Sequence, residues 1–148
     1  MIELPAPNLA TYSPTSFETL GDLTRVLDFI SDDHIDVAKN AISDLPITGN
    51  LTPASKSSLT VSGKGLRLVA ESEGRSVVVL PLEYSHCLEI NDTNTGKAYA
   101  LSLLRLDGLL AGVVFEHHID ALLSFRAGLL QNQACRWDDY LDAKAMLP

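Results

Sequence analysis

Three short stretches of the chain carry side chains that could do chemistry, and the first is His117-His118-Ile119-Asp120. Imidazole and carboxylate groups are common metal ligands. The alternation of apolar and polar residues from His117 to Phe125 predicts a β-strand, whose successive side chains point to opposite faces. Only His118 and Asp120 can therefore act together. Because metal sites usually need three or four ligands, we predict a polar outer face and no metal site.

The second stretch runs from Glu83 to His86, just after Pro81 interrupts an apolar run. The pair Ser85-His86 is a poor nucleophile and base, because adjacent side chains rarely point at each other and no nucleophile-elbow motif surrounds the serine. We therefore predict no catalytic residue. The loop suits ligand binding better, with Tyr84 as a stacking ring and Glu83 and His86 as hydrogen-bonding groups for a sugar. The alternative is that Tyr84 packs on the sheet.

The third stretch lies near the end of the chain and contains Arg136 and Trp137. Arginine and tryptophan are favoured anchors of protein interfaces, which predicts a contact with a partner protein. The alternative is that Arg136 pairs with an acidic neighbour while Trp137 and Tyr140 dock on the sheet and cover the core.

The chain has two cysteines, Cys87 and Cys135, and neither belongs to a CxxC motif or to a zinc-binding spacing. Two interpretations are open. The residues are either two buried thiols or a disulfide that closes a loop of about fifty residues, which would contribute about 4 kcal/mol of stability.

Length and charge limit the possible classes of protein. A chain of 148 residues can bury the core of one domain without a staple. The net charge is −8 and the 11 basic residues are scattered, so we expect no binding to nucleic acid. The N-terminal residues lack the basic region and apolar core of a signal peptide, and no apolar run approaches the ~20 residues that span a bilayer. We expect a soluble protein without a cofactor.

The N-terminal part is predicted to be a strap followed by helix. Three prolines indicate an extended strap over residues 1–14. Thr15 and Glu18 form a capping-box pattern that predicts a helix from Thr15 to about Ser31. Residues 32–47 fit either a second short helix or a turn that leads into a strand from Asp36 to Ser43. The apolar face of the predicted helix comprises Phe17, Leu20, Leu23, Leu27 and Ile30.

The rest of the chain has the period of β-strands. Val77–Leu80 is an apolar run that predicts a strand buried on both faces. Residues 71–75 are predicted to form a hairpin loop, and Asp107-Gly108 a tight hairpin turn. The predicted fold is mainly β: an antiparallel β-sandwich over residues 57–128 with one or two N-terminal helices over 15–45, in a single α+β domain 15–148. Further strands are predicted at 57–62, 66–70, 87–90, 98–106, 109–115 and 117–125.

Three segments carry a resemblance to a known family: DFISDDHIDVAKNAIS, LTVSGKGLRLVAESEGRSVVVLPLEYSHCLEI and AYALSLLRLDGLLAGVVFEHHIDALLSFRAG. From residue 15 to 128 the pattern resembles the C-terminal β-sandwich region of YfhO-like bacterial membrane proteins, which are similar to C-type glycosyltransferases. The Gly-Trp pair of that family is replaced here by His86-Cys87, and none of its active-site residues maps onto this chain.

The resemblance implies a non-catalytic accessory module outside the cytoplasmic membrane, with a membrane-embedded protein or a glycan as its partner. In such a module a Cys87–Cys135 disulfide is plausible. Two alternatives are a small homo-oligomeric or partner-binding assembly protein, and a small enzyme that uses residues 84–86 or the pair His118 and Asp120.

Overall fold

The computed structural model describes residues 8–19, 23–32, 35–98, 103–126 and 133–146. Over these residues the fold is mainly β, as predicted, with seven strands in one mixed sheet and two helices. One helix lies near the N-terminus and the other near the C-terminus. The elements in chain order are β1 (Ser16–Thr19), α1 (Leu23–Ser31), β2 (Asn40–Ser43), β3 (Lys56–Ser62), β4 (Gly65–Glu83), β5 (Leu88–Asp92), β6 (Leu103–Leu106), β7 (Leu110–Phe125) and α2 (Gln133–Met146).

The sheet is organised around two long strands, β4 and β7. Its strand order is β1-β2-β6-β7-β4-β3, and β5 also pairs with β7. β1 and β2 are parallel, whereas the other strand pairs are antiparallel. β7 pairs with β6 at residues 110–113 and with β5 at residues 121–125, so both neighbours lie along the same edge of β7. The candidate site described below lies where these strands end.

Residues 71–75 do not form the predicted hairpin loop, because β4 continues through them. The pairing register with β7 shifts between Glu71 and Arg75, which marks a β-bulge. The hydroxyl of Ser72 accepts a hydrogen bond from the N–H of Gly74 (3.1 Å), so the polar residues are satisfied locally without a chain reversal. The two strands predicted at 109–115 and 117–125 are likewise one strand, kinked at His117, where φ is 58°.

The capping box predicted at Thr15 and Glu18 is wrong, because residues 16–19 form β1. The N–H groups of Thr15 and Ser16 point to the carbonyl of Lys39, and β1 then pairs with β2. This pairing overrides the local helix signal. Of the two interpretations of residues 32–47, the structure shows the strand, Asn40–Ser43.

The helix that follows is shorter than predicted and buries a different face. Val26 and Phe29 of α1 are buried with Ile42, whereas Leu27 is exposed. Leu20 and the side chains of Leu23 and Ile30 lie outside the described residues.

The prediction for Val77–Leu80 is confirmed, since all four side chains are buried. Val78 and Leu80 belong to the main core, together with residues of β5 and β7, whereas Val77 and Val79 face a second cluster that includes Leu104 and Leu106. Of the predicted strap, residues 8–14 are described. They run beside β4, where the N–H of Val79 donates to the carbonyl of Tyr12 (2.9 Å).

The hairpin between β6 and β7 turns at Asp107 and Gly108, both of which have positive φ (52° and 75°). A left-handed backbone at both positions explains the Asp-Gly pair. The carboxylate of Asp107 also accepts a hydrogen bond from the N–H of Ile42 (2.8 Å), which ties the hairpin to β2. Arg105 lies two residues before the turn, and its carbonyl accepts a hydrogen bond from the N–H of Asp44 (3.2 Å).

Candidate functional site

The end of β4 leads into a polar turn at the surface. β4 ends at Glu83, and the N–H of Tyr84 donates to the carbonyl of Leu109 (2.8 Å). The chain then turns, and the N–H of Leu88 donates to the carbonyl of Ser85 (2.9 Å). The polar residues between β4 and β5 therefore lie on a short, hydrogen-bonded turn.

Helix α2 faces this turn with a polar side. Cys135, Asp139 and Asp142 are spaced four and three residues apart, which places them on one face of the helix. Asp139 accepts a hydrogen bond from the hydroxyl of Ser85 and another from the N–H of His86, both at 2.7 Å. One carboxylate thus satisfies two donors of the turn and docks the helix on it.

Asp142 joins three elements of the structure. One carboxylate oxygen lies 2.7 Å from Nε2 of His86 and 2.7 Å from Nη2 of Arg105. Because an ionised carboxylate only accepts hydrogen bonds, Nε2 of His86 carries the proton. The His86 hydrogen bond lowers the pKa of Asp142; partial burial opposes this shift and the Arg105 hydrogen bond adds to it.

Tyr84 lies beneath the same cluster. The guanidinium carbon of Arg105 lies 4.8 Å from the centre of the Tyr84 ring, and the His86 ring meets it edge-on at 5.5 Å. Burial, followed by the charge of Asp44, raises the pKa of Tyr84, which keeps the phenol neutral. One face of the ring predicted to stack on a ligand is therefore covered by a cation of the protein itself.

Asp44, just after β2, is a second carboxylate near Arg105. Its Oδ1 atom is buried, and no hydrogen-bond partner for it is found among the described residues. Burial raises the pKa of Asp44, and the positive charge of Arg105 opposes that rise. The charge of a single arginine thus acts on a carboxylate that follows β2 and on one of α2.

Tyr84, Arg105 and Asp139 border an open cleft of about 350 Å³. The Phe125 side chain at the end of β7 is 55% exposed, and the Leu109 side chain on the opposite hairpin is also exposed. The cleft therefore offers apolar surface beside carboxylates, an arginine and a tyrosine. Its lining residues are Glu83, Tyr84, Ser85, Arg105, Gly108, Leu109, Phe125, Asp139 and Ala143.

The structure brings together part of the predicted ligand-binding set. Glu83 and Tyr84 line the cleft, whereas His86 lies beside it and bonds to Asp142. Arg136 and Trp137, predicted to contact a partner, both lie at the exposed surface of α2.

The alternative in which Trp137 and Tyr140 dock on the sheet is wrong, because Trp137 is 58% exposed and Tyr140 is exposed beside it. The inward face of α2 is occupied by Cys135 and the two aspartates, so the aromatic residues point outward.

Cys87 and Cys135 form a disulfide, with their Cα atoms 5.1 Å apart and 48 residues between them in sequence. Both residues are buried. On the sheet side, the carbonyl of Cys87 accepts a hydrogen bond from the N–H of Arg126 (3.0 Å). The disulfide therefore ties α2 to a well-anchored point between the turn and β5.

The histidines of β7 take no part in this cleft. Asp120 accepts two hydrogen bonds from Arg67, at 2.8 and 2.5 Å. This contact is the largest cause of the lowered pKa of Asp120. His117 is exposed and does not share the buried face of Ile119, because the kink at its positive φ turns it outward. Within the described ranges, no group of three or more potential ligands could hold a metal ion.

Sequence reasoning missed Arg105, Asp139 and Asp142. Arg105 follows an apolar stretch without any motif, so only the tertiary contacts reveal it. The two aspartates could have been predicted from their spacing. If Cys135 faces inward, the helical period places Asp139 and Asp142 on the same side. That prediction depends on a helix that already begins at Gln133, ahead of both aspartates.

No described helix is both long and apolar enough to cross a membrane. Comparison with protein-family models, curated proteins and solved structures finds no match to this chain. The inferences about function therefore depend on the geometry of the site.

Proposed function

We propose that this chain is a non-catalytic binding module whose cleft takes a small hydroxyl-rich ligand of the sugar class. One observation carries the proposal: the exposed ring of Phe125 and the exposed carboxylate of Glu83 border the same open cleft. Aromatic faces pack against the C–H groups of a sugar ring, and carboxylates accept hydrogen bonds from its hydroxyls. Tyr84 and Arg105 add polar groups at the base of the cleft.

The hydrogen bonds of the turn favour binding over catalysis. A nucleophilic serine needs a hydrogen bond to its base. Here Ser85 donates to Asp139, whereas His86 bonds through Nε2 to Asp142. The two side chains thus engage different carboxylates of α2, and both serve to dock the helix.

The proposal includes a β-sandwich architecture and an extracytoplasmic setting. In support of a sandwich, residues from both halves of β4 and β7 share one core, as expected if the bent sheet folds over on itself. In support of the setting, disulfides persist mainly in oxidising compartments. A module of this kind would serve a membrane-embedded protein or bind a glycan, as the family resemblance implies.

The test is an NMR titration of the ¹⁵N-labelled protein with neutral disaccharides: cellobiose, maltose, lactose and chitobiose. We expect at least one of them to shift the amide signals around Tyr84, Leu109 and Phe125. Phe125→Ala should abolish those shifts, because it removes the exposed stacking surface. Leu45→Ala, at a side chain that is 56% exposed and outside the cleft lining, is the matched control and should leave them unchanged. Shifts that survive Phe125→Ala would contradict the proposal.

A second candidate function is self-association through the outer face of α2. Trp137, Tyr140 and Leu141 are all exposed there, and Lys144 shares the same face. The Trp137 and Tyr140 rings lie 5.2 Å apart. These four positions are spaced symmetrically about the midpoint between Tyr140 and Leu141. An antiparallel second copy would therefore place Lys144 over the partner's Trp137, a favourable cation–π contact.

Sedimentation equilibrium tests this candidate. We expect a mass that rises above 16.0 kDa with protein concentration, and more readily in high salt, because salt screens the repulsion between two copies of charge −8. Leu141→Glu should restore the monomer, whereas Leu45→Glu, at another exposed leucine, should not. A monomer at every concentration and salt level would refute self-association.

A further inference from the structure

We propose that the Cys87–Cys135 disulfide is a redox latch that holds α2 in place as a movable wall of the cleft. The effect on ligand binding rests on the proposed function, whereas the release of the helix does not. Three features support the latch: the weak attachment of α2 apart from the disulfide, its place in the cleft wall, and the independent anchoring of Cys87 on the sheet.

The first feature is that α2 is barely buried. Among residues 134–145, whose side chains the structure describes, Cys135 alone is buried. Without apolar burial, little hydrophobic stabilisation holds the helix on the sheet. What remains among the described residues are the hydrogen bonds to Asp139 and Asp142, of which two are exposed to water and two are only partly buried. A helix of 14 residues is also marginal by itself in water.

The second feature is that α2 forms one side of the cleft. Asp139 and Ala143 line it from the helix, and the other lining residues belong to the sheet and its turns. Departure of α2 would remove the carboxylate that Ser85 donates to and would uncover Arg105, whose side chain is only 9% exposed while Asp142 is in place. The cleft would change from a walled groove into an open surface.

The third feature is that the sheet does not depend on α2. Cys87 is held by the hydrogen bond from Arg126 to its carbonyl, and β5 pairs with β7 from Leu88↔Phe125 onward. The main core draws its residues from the strands and from Ala10. Breaking the disulfide should therefore release the helix locally and leave the sheet folded.

The chemical step is thiol–disulfide exchange with a dithiol reductant. A thiolate of the reductant attacks one sulfur of the disulfide, and the other cysteine leaves as a thiolate that takes up a proton. The second thiol of the reductant then attacks the mixed disulfide, so the reductant becomes a cyclic disulfide and the protein holds two thiols. Because both cysteines are buried, attack requires fraying of the first turn of α2, in which Cys135 is the third residue.

Hydrogen–deuterium exchange of the whole chain, with and without dithiothreitol, tests the latch. On reduction, the amides of residues 133–146 should exchange about tenfold faster or more and lose most of their protection, because the helix opens locally, while those of Val77–Leu80 remain protected in a folded sheet. The double variant Cys87→Ala/Cys135→Ala should exchange like the reduced protein and should not respond to dithiothreitol. Unchanged exchange in α2 would overturn the latch, and so would loss of protection in the central strand to the level of α2.

A disaccharide titration of the oxidised and reduced forms separates the latch from the proposed ligand. We expect about tenfold weaker binding after reduction, because the competent, walled form becomes a minor population. Equal affinity in both forms would overturn control of the cleft by the latch. If α2 is released but no disaccharide binds either form, the latch is supported and the sugar proposal is refuted.

Discussion

Asp142 of α2 lies 2.7 Å from the guanidinium of Arg105 on β6, so a half-exposed carboxylate covers an almost fully buried cation. Its side chain is 40% exposed, against 9% for Arg105. A surface helix thus supplies a counter-charge to a group that the sheet has withdrawn from water. Because the same carboxylate also bonds to His86, this contact links the sheet, the turn and the helix.

Replacement of Asp142 should destabilise the protein although the residue is half exposed. Asp142→Ala removes one acceptor from the buried Arg105, and we expect a loss of about 1 kcal/mol in the free energy of unfolding, the usual size for one hydrogen bond. Urea denaturation measures it. Lys39→Ala is the control, because it removes only the exposed i,i+3 contact with Asp36, and it should produce no measurable change. Equal effects of the two variants would contradict the role given to Asp142.

The stabilisation from Asp142 should depend on pH with a defined sign. The pKa of Asp142 in the folded protein is lowered from 3.8, first by the His86 hydrogen bond, so folding favours the ionised form. Its contribution is complete above the unfolded value and is lost as the pH falls through the lower folded pKa. We expect the difference in unfolding free energy between the wild type and Asp142→Asn to be constant at neutral pH and to shrink at the acid end. A difference that grew on acidification would refute this assignment.

Gly65 should be irreplaceable at the start of β4. Its φ is +147°, and an added Cβ would lie 2.2 Å from the carbonyl oxygen of Leu123, a backbone atom that cannot move aside. We expect Gly65→Ala to reduce the free energy of unfolding by at least about 2 kcal/mol. Gly63→Ala, two residues earlier, meets nothing within 4 Å and should have a far smaller effect. Thermal or urea denaturation of the two variants provides the comparison.

The disulfide should increase the free energy of unfolding, because it restricts the unfolded chain. Closing a loop between residues 48 apart contributes about 4 kcal/mol in the chain-entropy model. We expect the variant Cys87→Ala/Cys135→Ala to lose a free energy of that order in urea denaturation. Thiol titration of the unreduced, denatured wild type should find no free thiol, and two reactive thiols per chain would contradict the bond.

The strands could be predicted from the sequence better than their connections. The period-two pattern predicted most strands, and the apolar run predicted that Val77–Leu80 is buried on both faces. The composition of residues 71–75 predicts a hairpin loop, because Ser72 and Gly74 resemble turn residues. Their hydrogen bond to each other stabilises a bulge as readily as a turn, so composition alone cannot distinguish the two.

The helices and the site were harder to predict for two different reasons. Thr15 and Glu18 matched a capping box, but pairing of β1 with β2 is a contact between distant segments that a local motif cannot contain. Trp137 was assigned in one interpretation to the core because large aromatic residues usually face inward. On α2 the disulfide and the aspartates fix the opposite orientation, which depends on where Ser85, His86 and Arg105 lie in space.

The most direct test of the binding proposal is the map of amide shifts in ¹⁵N-labelled wild-type protein titrated with the four disaccharides. The proposal predicts saturable shifts at Tyr84, Leu109, Phe125 and Ala143, the residues that border the cleft from the turn, the hairpin, β7 and α2. Saturable shifts confined to other surfaces, or no shift with any of the four sugars, would contradict it.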